Sequence, residues 1–468
     1  CDCGTGAEGD CVPGDDTNGG TDPLFPRQTI ANAESRFGTL AVNDTVALCK
    51  GGAFDAAGDF RIGSNRCGAG VACNDLREYT PTTFAGTAKP IVNNGSGGVP
   101  LFFFQGTGGV RLLNLALHGT PTSGNQAFFF YRGAHDVTLC NLDMDSFHLA
   151  VYNESNAGNN SNNKVTGNLV TNSAAMGYLG GGTNDDVSYN YWDSNGSSTV
   201  FDHTLYFASS TELLNMRVVG NYVRGQYGST CLGAPIVAHM AVDGLLVKDN
   251  VVDIDPSAVT GGCWGMGFNN FTNAPEPMYH RHAVFSGNTI RNGGNLALTV
   301  TGCPDCVIEN NLIIHETAME ATGIAVASGP ARASSGDDVN TRNVIRNNTI
   351  WYGPSASDSG IGIVVGTEGT GHIIANNSVT YSGTATGSNG PFRCFDYPLA
   401  LSSYAFIDNN HCEVAASSSW VAGQGTLADW QAASGFDMQS FAGSPQFTAA
   451  GTDFTPGVGS PLVGTGSA

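Results

Sequence analysis

The chain has 468 residues, a formal net charge of −21, 64 glycines, 13 cysteines and only 13% charged residues. Such acidity excludes nucleic acid and anionic membrane surfaces as partners, because both need clustered Lys and Arg. No apolar run is long enough for a membrane-spanning helix. Excess Gly, Asn, Ser and Thr with few helix formers describes many short strands joined by tight turns, and a repeat fold can carry this length as one unit.

Residues 1–29 form a tail rich in Cys, Gly and Asp, without hydrophobic periodicity, in which Cys3 and Cys11 are candidates for a bridge. Cys1 is the residue left when a bacterial lipoprotein precursor is cleaved, so it is a candidate for lipidation. Membrane contact is expected only through such a lipid. Ile30, Ala33, Phe37 and Leu40 follow helical spacing and predict a short helix capping the first coil.

Two strand series then interleave. One contains Val110–Leu115, Val165–Val170, Val218–Val223, Leu246–Val251, Val284–Ile290, Val307–Ile313, Val344–Ile350 and Ile373–Val379, each with one or two asparagines or an Asn-like corner near its middle. The other contains Leu101–Phe104, Ala127–Phe130, Leu149–Tyr152, Leu205–Phe207, Ile236–Ala238, Leu298–Val300, Ile324–Val326 and Ile361–Val365. Corner asparagines at 114, 141, 168, 190, 221, 250, 288, 311, 348, 377 and 410 recur at intervals of 22 to 38 residues. That period without a helical pattern predicts a parallel β-helix of about 11–12 coils, two strands per coil, over residues 30–420. The asparagines would bond from coil to coil, and residues 421–468 would close the end.

Thirteen cysteines without zinc or haem spacing point to an oxidising location, extracellular or at the outer cell surface. Cys231 with Cys263, on consecutive coils, is a candidate pair. Cys303 with Cys306, Cys394 with Cys412 and Cys67 with Cys73 are further pairs, and Cys49 and Cys140 remain as a long-range pair or as buried thiols.

These repeats resemble secreted bacterial right-handed parallel β-helix proteins of the pectate-lyase-like superfamily. Leu427–Gln431, Gly435-Phe436-Asp437, Ser444–Phe447 and Gly459–Leu462 are similar to the closing segment of many of them. The resemblance implies an all-β right-handed solenoid and leaves function open, because that superfamily includes lyases, epimerases, hydrolases and adhesins.

A polyuronate lyase needs a base, a proton donor and a cation for the sugar carboxylate. Asp202, His203 and Tyr206 are the candidate catalytic set, with Tyr206 facing outward by strand alternation and His239 expected to face outward beside it. Residues of the same Asp202–Tyr206 type also occur as packing and corner motifs. His280-Arg281-His282 could hold an anion or simply be solvated. Asp185-Asp186 and Asp337-Asp338 could contribute to calcium sites, but none has an ordered run of oxygen ligands, so no cofactor is expected. Asp253 and Asp255 read as surface.

The row Lys248, Glu309, Arg346 and Asp408 mixes signs and lacks the basic character that an anionic glycan would need. The first reading is therefore a noncatalytic surface protein, an adhesin or a subunit of an extracellular filament joined to its own kind or to cell-surface components through the tail. The alternative is a carbohydrate-active enzyme, a polysaccharide lyase or glycoside hydrolase with a glycan partner.

Overall fold

The computed structural model describes residues 14–22, 24–62, 74–80, 86–95, 97–154, 160–196, 199–226, 230–269, 277–326, 336–384, 392–414, 419–464 and 466. The chain falls into two compact units, one of residues 1–197, 202–217 and 226–228, the other of residues 198–201, 218–225 and 229–468.

In both units the chain repeats one path: strand, corner, strand, loop, strand, loop. In the first unit Gly108–Leu113, Ala116–His118 and Gln126–Tyr131 are followed by His135–Cys140, Asp143–Asp145 and Leu149–Glu154. Each strand pairs in parallel with its counterpart, so that Val137 lies opposite Val110, Met144 opposite Leu117 and Tyr152 opposite Phe129. In the second unit Val307–Glu309, Leu312–His315 and Ala321–Val326 pair in the same way with Val344–Arg346, Thr349–Tyr352 and Gly360–Val365. The fold is an all-β, right-handed parallel β-helix with three parallel sheets, called the first, second and third in chain order within a coil.

Three strands per coil, where the two sequence series predict two, follow from the corner. Asn347 and Asn310 adopt φ of 55°, and Gly287 and Asp249 take 68° and 54°. This left-handed conformation is accessible to Gly and tolerated by Asn and Asp. One such residue breaks what looks like a continuous strand into two.

The residue after it turns inward, and there the asparagine ladder runs. Asn311 Nδ2 donates to the Phe285 carbonyl at 2.9 Å and to Asn348 Oδ1 at 2.9 Å. Its own Oδ1 accepts from Asn288 N at 3.0 Å and Asn288 Nδ2 at 2.9 Å. In a buried corner these bonds satisfy groups that would otherwise lose water without compensation.

Asn114 and Asn141 are not part of this ladder. They occupy the left-handed position itself, with φ of 59° and 53°, and the inward places beside them hold Leu115 and Leu142, both fully buried. An apolar side chain fills the core there, and the Leu142 amide donates up to Asn168 Oδ1 at 2.9 Å.

Inside the first unit Phe102 and Phe128 stack at 5.2 Å, and Phe104 meets Phe130 edge-on at 5.2 Å. The predicted cap forms as helix α1 (Ile30–Phe37), capped by Thr29, with Ile30 and Phe37 buried. Phe37 packs on Phe60 of the first coil at 5.9 Å. The preceding segment is tied together by its own hydrogen bonds. The Asp16 carboxylate accepts from the Gln28 and Thr29 amides at 3.0 Å each and from Thr29 Oγ1 at 2.7 Å.

The far end of the second unit closes with helix α2 (Leu427–Ser434), whose Thr426 and Asp429 form a reciprocal capping box. Asp437 then ends the ladder. Its carboxylate accepts from Asn410 Nδ2 at 3.0 Å, Trp430 Nε1 at 2.8 Å and Ser440 Oγ at 2.5 Å.

Three of the expected disulfides are present: Cys231–Cys263, Cys303–Cys306 and Cys394–Cys412. The first joins paired strands and the third links the third sheet to the second. Cys49 and Cys140 form no disulfide. Cys1, Cys3, Cys11, Cys67 and Cys73 lie outside the described residues.

Candidate functional site

Alternation in the third sheet of the first unit sends every second side chain outward. In Gln126–Tyr131, Phe128 and Phe130 are buried while Phe129 and Tyr131 are half-buried and outward. In Leu205–Phe207, Tyr206 is the outward residue, as its sequence predicts. Register then aligns the outward positions. Arg61 lies opposite Phe103, Phe103 opposite Phe129, Phe129 opposite Tyr152, Tyr152 opposite Leu179 and Leu179 opposite Tyr206.

The result is a row of aromatic rings one rung apart. Phe103 and Phe129 are 5.2 Å apart between ring centroids, and Phe129 and Tyr152 are 4.8 Å apart and parallel within 1°. A second outward row runs beside it through Gln105, Tyr131 and Glu154. Tyr131 lies 5.4 Å from Phe129, and the Arg132 guanidinium sits over the Tyr131 ring at 4.7 Å. Burial first, then the neighbouring Glu154 carboxylate, pushes the Tyr152 phenol upward.

At the end of the aromatic row, the ring of His203 meets that of Tyr206 at 5.1 Å. Burial pushes the Tyr206 phenol up, so this hydroxyl stays protonated as a donor. His203 is buried and Asp202 half-buried. Gly196 makes their approach possible: at its φ of 83° a side chain would be strained, and a Cβ would come within 3.0 Å of the His203 carbonyl carbon.

His239 belongs to the second unit and, contrary to the outward position expected from the sequence, is buried, because its ring turns to the Asn269 carbonyl. Its Nδ1 lies 2.6 Å from the Asn269 carbonyl. A carbonyl only accepts, so Nδ1 carries the proton and, in the neutral ring, Nε2 carries the lone pair.

No family model matches the chain, and no curated protein is significantly similar to it. Among solved structures it is similar to the PL6 family alginate lyase AlyGC, with a TM-score of 0.50 and 15% identity over 91% of this chain. The chain spans 54% of the length of that structure. It is also similar to the GH136 lacto-N-biosidase from Eubacterium ramulus (TM-score 0.49, 13% identity, 86% of this chain and 67% of that one) and to the Dettilon tailspike protein (0.48, 12%, 80% and 65%). The fold it shares with the lyase is the parallel β-helix.

Elsewhere on this β-helix the polar clusters seen in the sequence are occupied with structure. His280 is fully buried between the Thr301 and Ala238 carbonyls, and burial pushes its imidazole down to about 4. Arg281 pairs with Asp338 and covers the Tyr279 ring at 3.9 Å, while His282 Nδ1 meets Asp243 at 2.7 Å. The three therefore point to different partners and do not converge on an anion. Asp337 accepts from the Met278 amide at 2.9 Å. Asp253 accepts from the Tyr222 hydroxyl at 2.7 Å, and Asp255 caps the turn at Ser257. Arg346 pairs with Glu309 at 2.8 Å, which neutralises part of the mixed-sign row.

Asp185 is fully enclosed. Its carboxylate accepts from Asn163 N at 2.8 Å and Asn153 Nδ2 at 2.6 Å, and Asn153 in turn reaches the Tyr178 hydroxyl at 2.9 Å. Burial pushes the carboxyl up to about 7, against hydrogen bonds from Asn163, Asn153 and Gly182 that pull it down. The pair Asp185-Asp186 is thus split between a buried network and a surface contact of Asp186 with Arg217 at 3.7 Å.

Proposed function

We propose that this protein is an extracellular, carbohydrate-active β-helix that holds a glycan on the outward face of its third sheet and acts on it near Tyr206. The observation that carries the reading is the aromatic row Phe103, Phe129 and Tyr152, which ends in the Tyr206–His203 ring pair. Aromatic faces with hydrogen-bonding groups at their margin suit a pyranose, which has an apolar C–H face and a hydroxylated edge. Three disulfides suit an oxidising, extracellular setting.

In this reading the Tyr206 hydroxyl gives its proton to the departing sugar oxygen while His203 takes one from the water that replaces it at the anomeric carbon, or, in elimination from a uronate, from the sugar C5–H. His203 is the companion base and Asp202 its orienting carboxylate. His239, with its lone pair on Nε2, is a separate candidate base within the second unit. In the described part of the tail, residues 14–29, the backbone hydrogen bonds run mainly within the tail itself, and the remaining tail on which a tail-joined surface protein would depend lies outside the described residues.

The test is a panel of neutral and acidic polysaccharides, followed for new reducing ends or for the absorbance of an unsaturated sugar. Tyr206→Phe and His203→Ala should each abolish product formation, and His239→Ala reports on the second candidate base. Full turnover in both Tyr206→Phe and His203→Ala rules out this site.

A further inference from the structure

The aromatic row needs an explanation beyond the fold. Inward residues of a β-helix must fill the core and match the coil above, whereas outward residues carry no such demand. On the third sheet of the second unit the corresponding row is Gly267, Thr299, Ala325 and Val364, lying opposite one another in succession; the first three are buried and Val364 is half-buried. The coils pair through small side chains where this row is covered, so the pairing itself does not require rings, and the first unit leaves Phe103, Phe129 and Tyr152 half-buried in the same row.

Their geometry leaves contact surface outward. Two parallel rings 4.8 Å apart cannot lie flat side by side without overlapping, so Phe129 and Tyr152 overlap like shingles. Both rings are half-buried, so part of each remains toward solvent. Tyr131 and Glu154 stand in the adjoining row, where a hydroxyl and a carboxylate meet the margin of the rings. From Phe103 to Tyr206 there are four rungs, about 19 Å at ~4.8 Å per rung, enough for several sugar rings.

Charge selects among glycans. Arg61 covers the Phe103 ring at 5.1 Å but is neutralised by Asp59 at 2.6 Å. Glu154 and the Arg132 guanidinium over Tyr131 offset one another, which leaves no basic surplus on this face, and the whole chain carries −21. A polyanion approaching this face meets repulsion, whereas an uncharged chain does not.

We propose that Phe103, Phe129 and Tyr152 form a stacking platform for a neutral polysaccharide whose chain runs across the strands, rung by rung, toward Tyr206. This deepens the glycan reading above and rests on it. The platform sets affinity and chain direction, and Tyr206 with His203 does the chemistry.

The experiment uses the full chain in affinity electrophoresis and calorimetry against soluble β-glucan, xylan, galactan and mannan, with polygalacturonate and alginate as acidic probes. Phe129→Leu and Tyr152→Leu keep an apolar side chain on the strand, and circular dichroism with thermal melting checks that each is folded. Retention by at least one neutral glycan is expected, insensitive to salt, with each Leu variant binding roughly 5- to 10-fold more weakly. Unchanged binding in both folded Leu variants overturns the platform, as does retention by acidic probes alone with loss in salt. Retention by no glycan overturns the platform and the proposed function together. Ring-dependent retention in a chain that cleaves nothing upholds the platform and overturns the reaction, whereas turnover with KM unaltered in the Leu variants does the reverse.

Discussion

Asp185 makes the stability of the first unit depend on pH in a direction opposite to that of a salt-bridged carboxylate. Its folded-state value of about 7 lies above the ordinary 3.8, so between these values the unfolded chain has released a proton that the folded chain still holds. Folding stability from this group is fully present below about pH 4 and is lost as the pH rises through about 7. A rise of roughly three pKa units corresponds to about 4 kcal/mol at most, and relaxation around the ionised group lowers that to about 2–4 kcal/mol.

Asp185→Asn fixes the neutral state. The new amide oxygen can still accept from Asn163 N, but its NH2 faces Asn153 Nδ2, which cannot turn over without giving up the bond that Asn160 Nδ2 makes to Asn153 Oδ1 at 2.7 Å. The variant should therefore be about 1–2 kcal/mol less stable than the parent in acid. Urea unfolding from about pH 4 to about pH 8 should show the parent losing stability relative to Asp185→Asn until the two curves meet or cross. Parallel curves across the whole range would refute the assignment of this titration to Asp185.

Two further outcomes follow from the corners and the closing segment. Asn311→Leu fills the inward corner with a residue type that the fold accepts at Leu115, yet it strips partners from Phe285 O, Asn288 N and Asn288 Nδ2. Equilibrium unfolding should show a loss of about 3–5 kcal/mol, and a loss under about 1 kcal/mol would mean that the ladder bonds are readily replaced. Asp437→Ala removes the acceptor of Trp430 Nε1, Asn410 Nδ2 and Ser440 Oγ. Limited proteolysis should then begin in residues 421–464, with a red-shifted tryptophan emission. An unchanged digestion pattern would show that the helix and strand contacts close this end alone.

The β-helix was legible because every coil repeats one chemical instruction: β-branched residues, a corner that tolerates left-handed backbone, and an amide to stack. Two details were not. In Val344–Ile350 the left-handed residue Asn347 and the ladder residue Asn348 are adjacent and identical, so the break between two strands does not show as a change of composition. In the early coils the same corner shape uses Asn114 and Asn141 at the left-handed place and leucine inward, so an asparagine count misplaces the ladder by one residue. The disulfides were easier, because Cys231 and Cys263 flank equivalent strands of successive coils and need no knowledge of loop shape.

The candidate site was only half legible, and the reason is register. Alternation within a strand tells that the middle residue of Leu101–Phe104 or Ala127–Phe130 points the other way from its neighbours, but not which outward residues of different coils line up. Loops that let the coil interval vary from 22 to 38 residues hide that alignment. Only paired strands show Phe103, Phe129, Tyr152 and Tyr206 in one row. The same loops hide Asp185, which reads as a solvated turn beside Asp186 until Asn153 and Asn163 of the preceding coil close over it. Residues whose role is set by the next coil are therefore where sequence and structure part. A β-helix leaves its outward rows free of core demands, so departures from small or polar residues in those rows are the places to look for function.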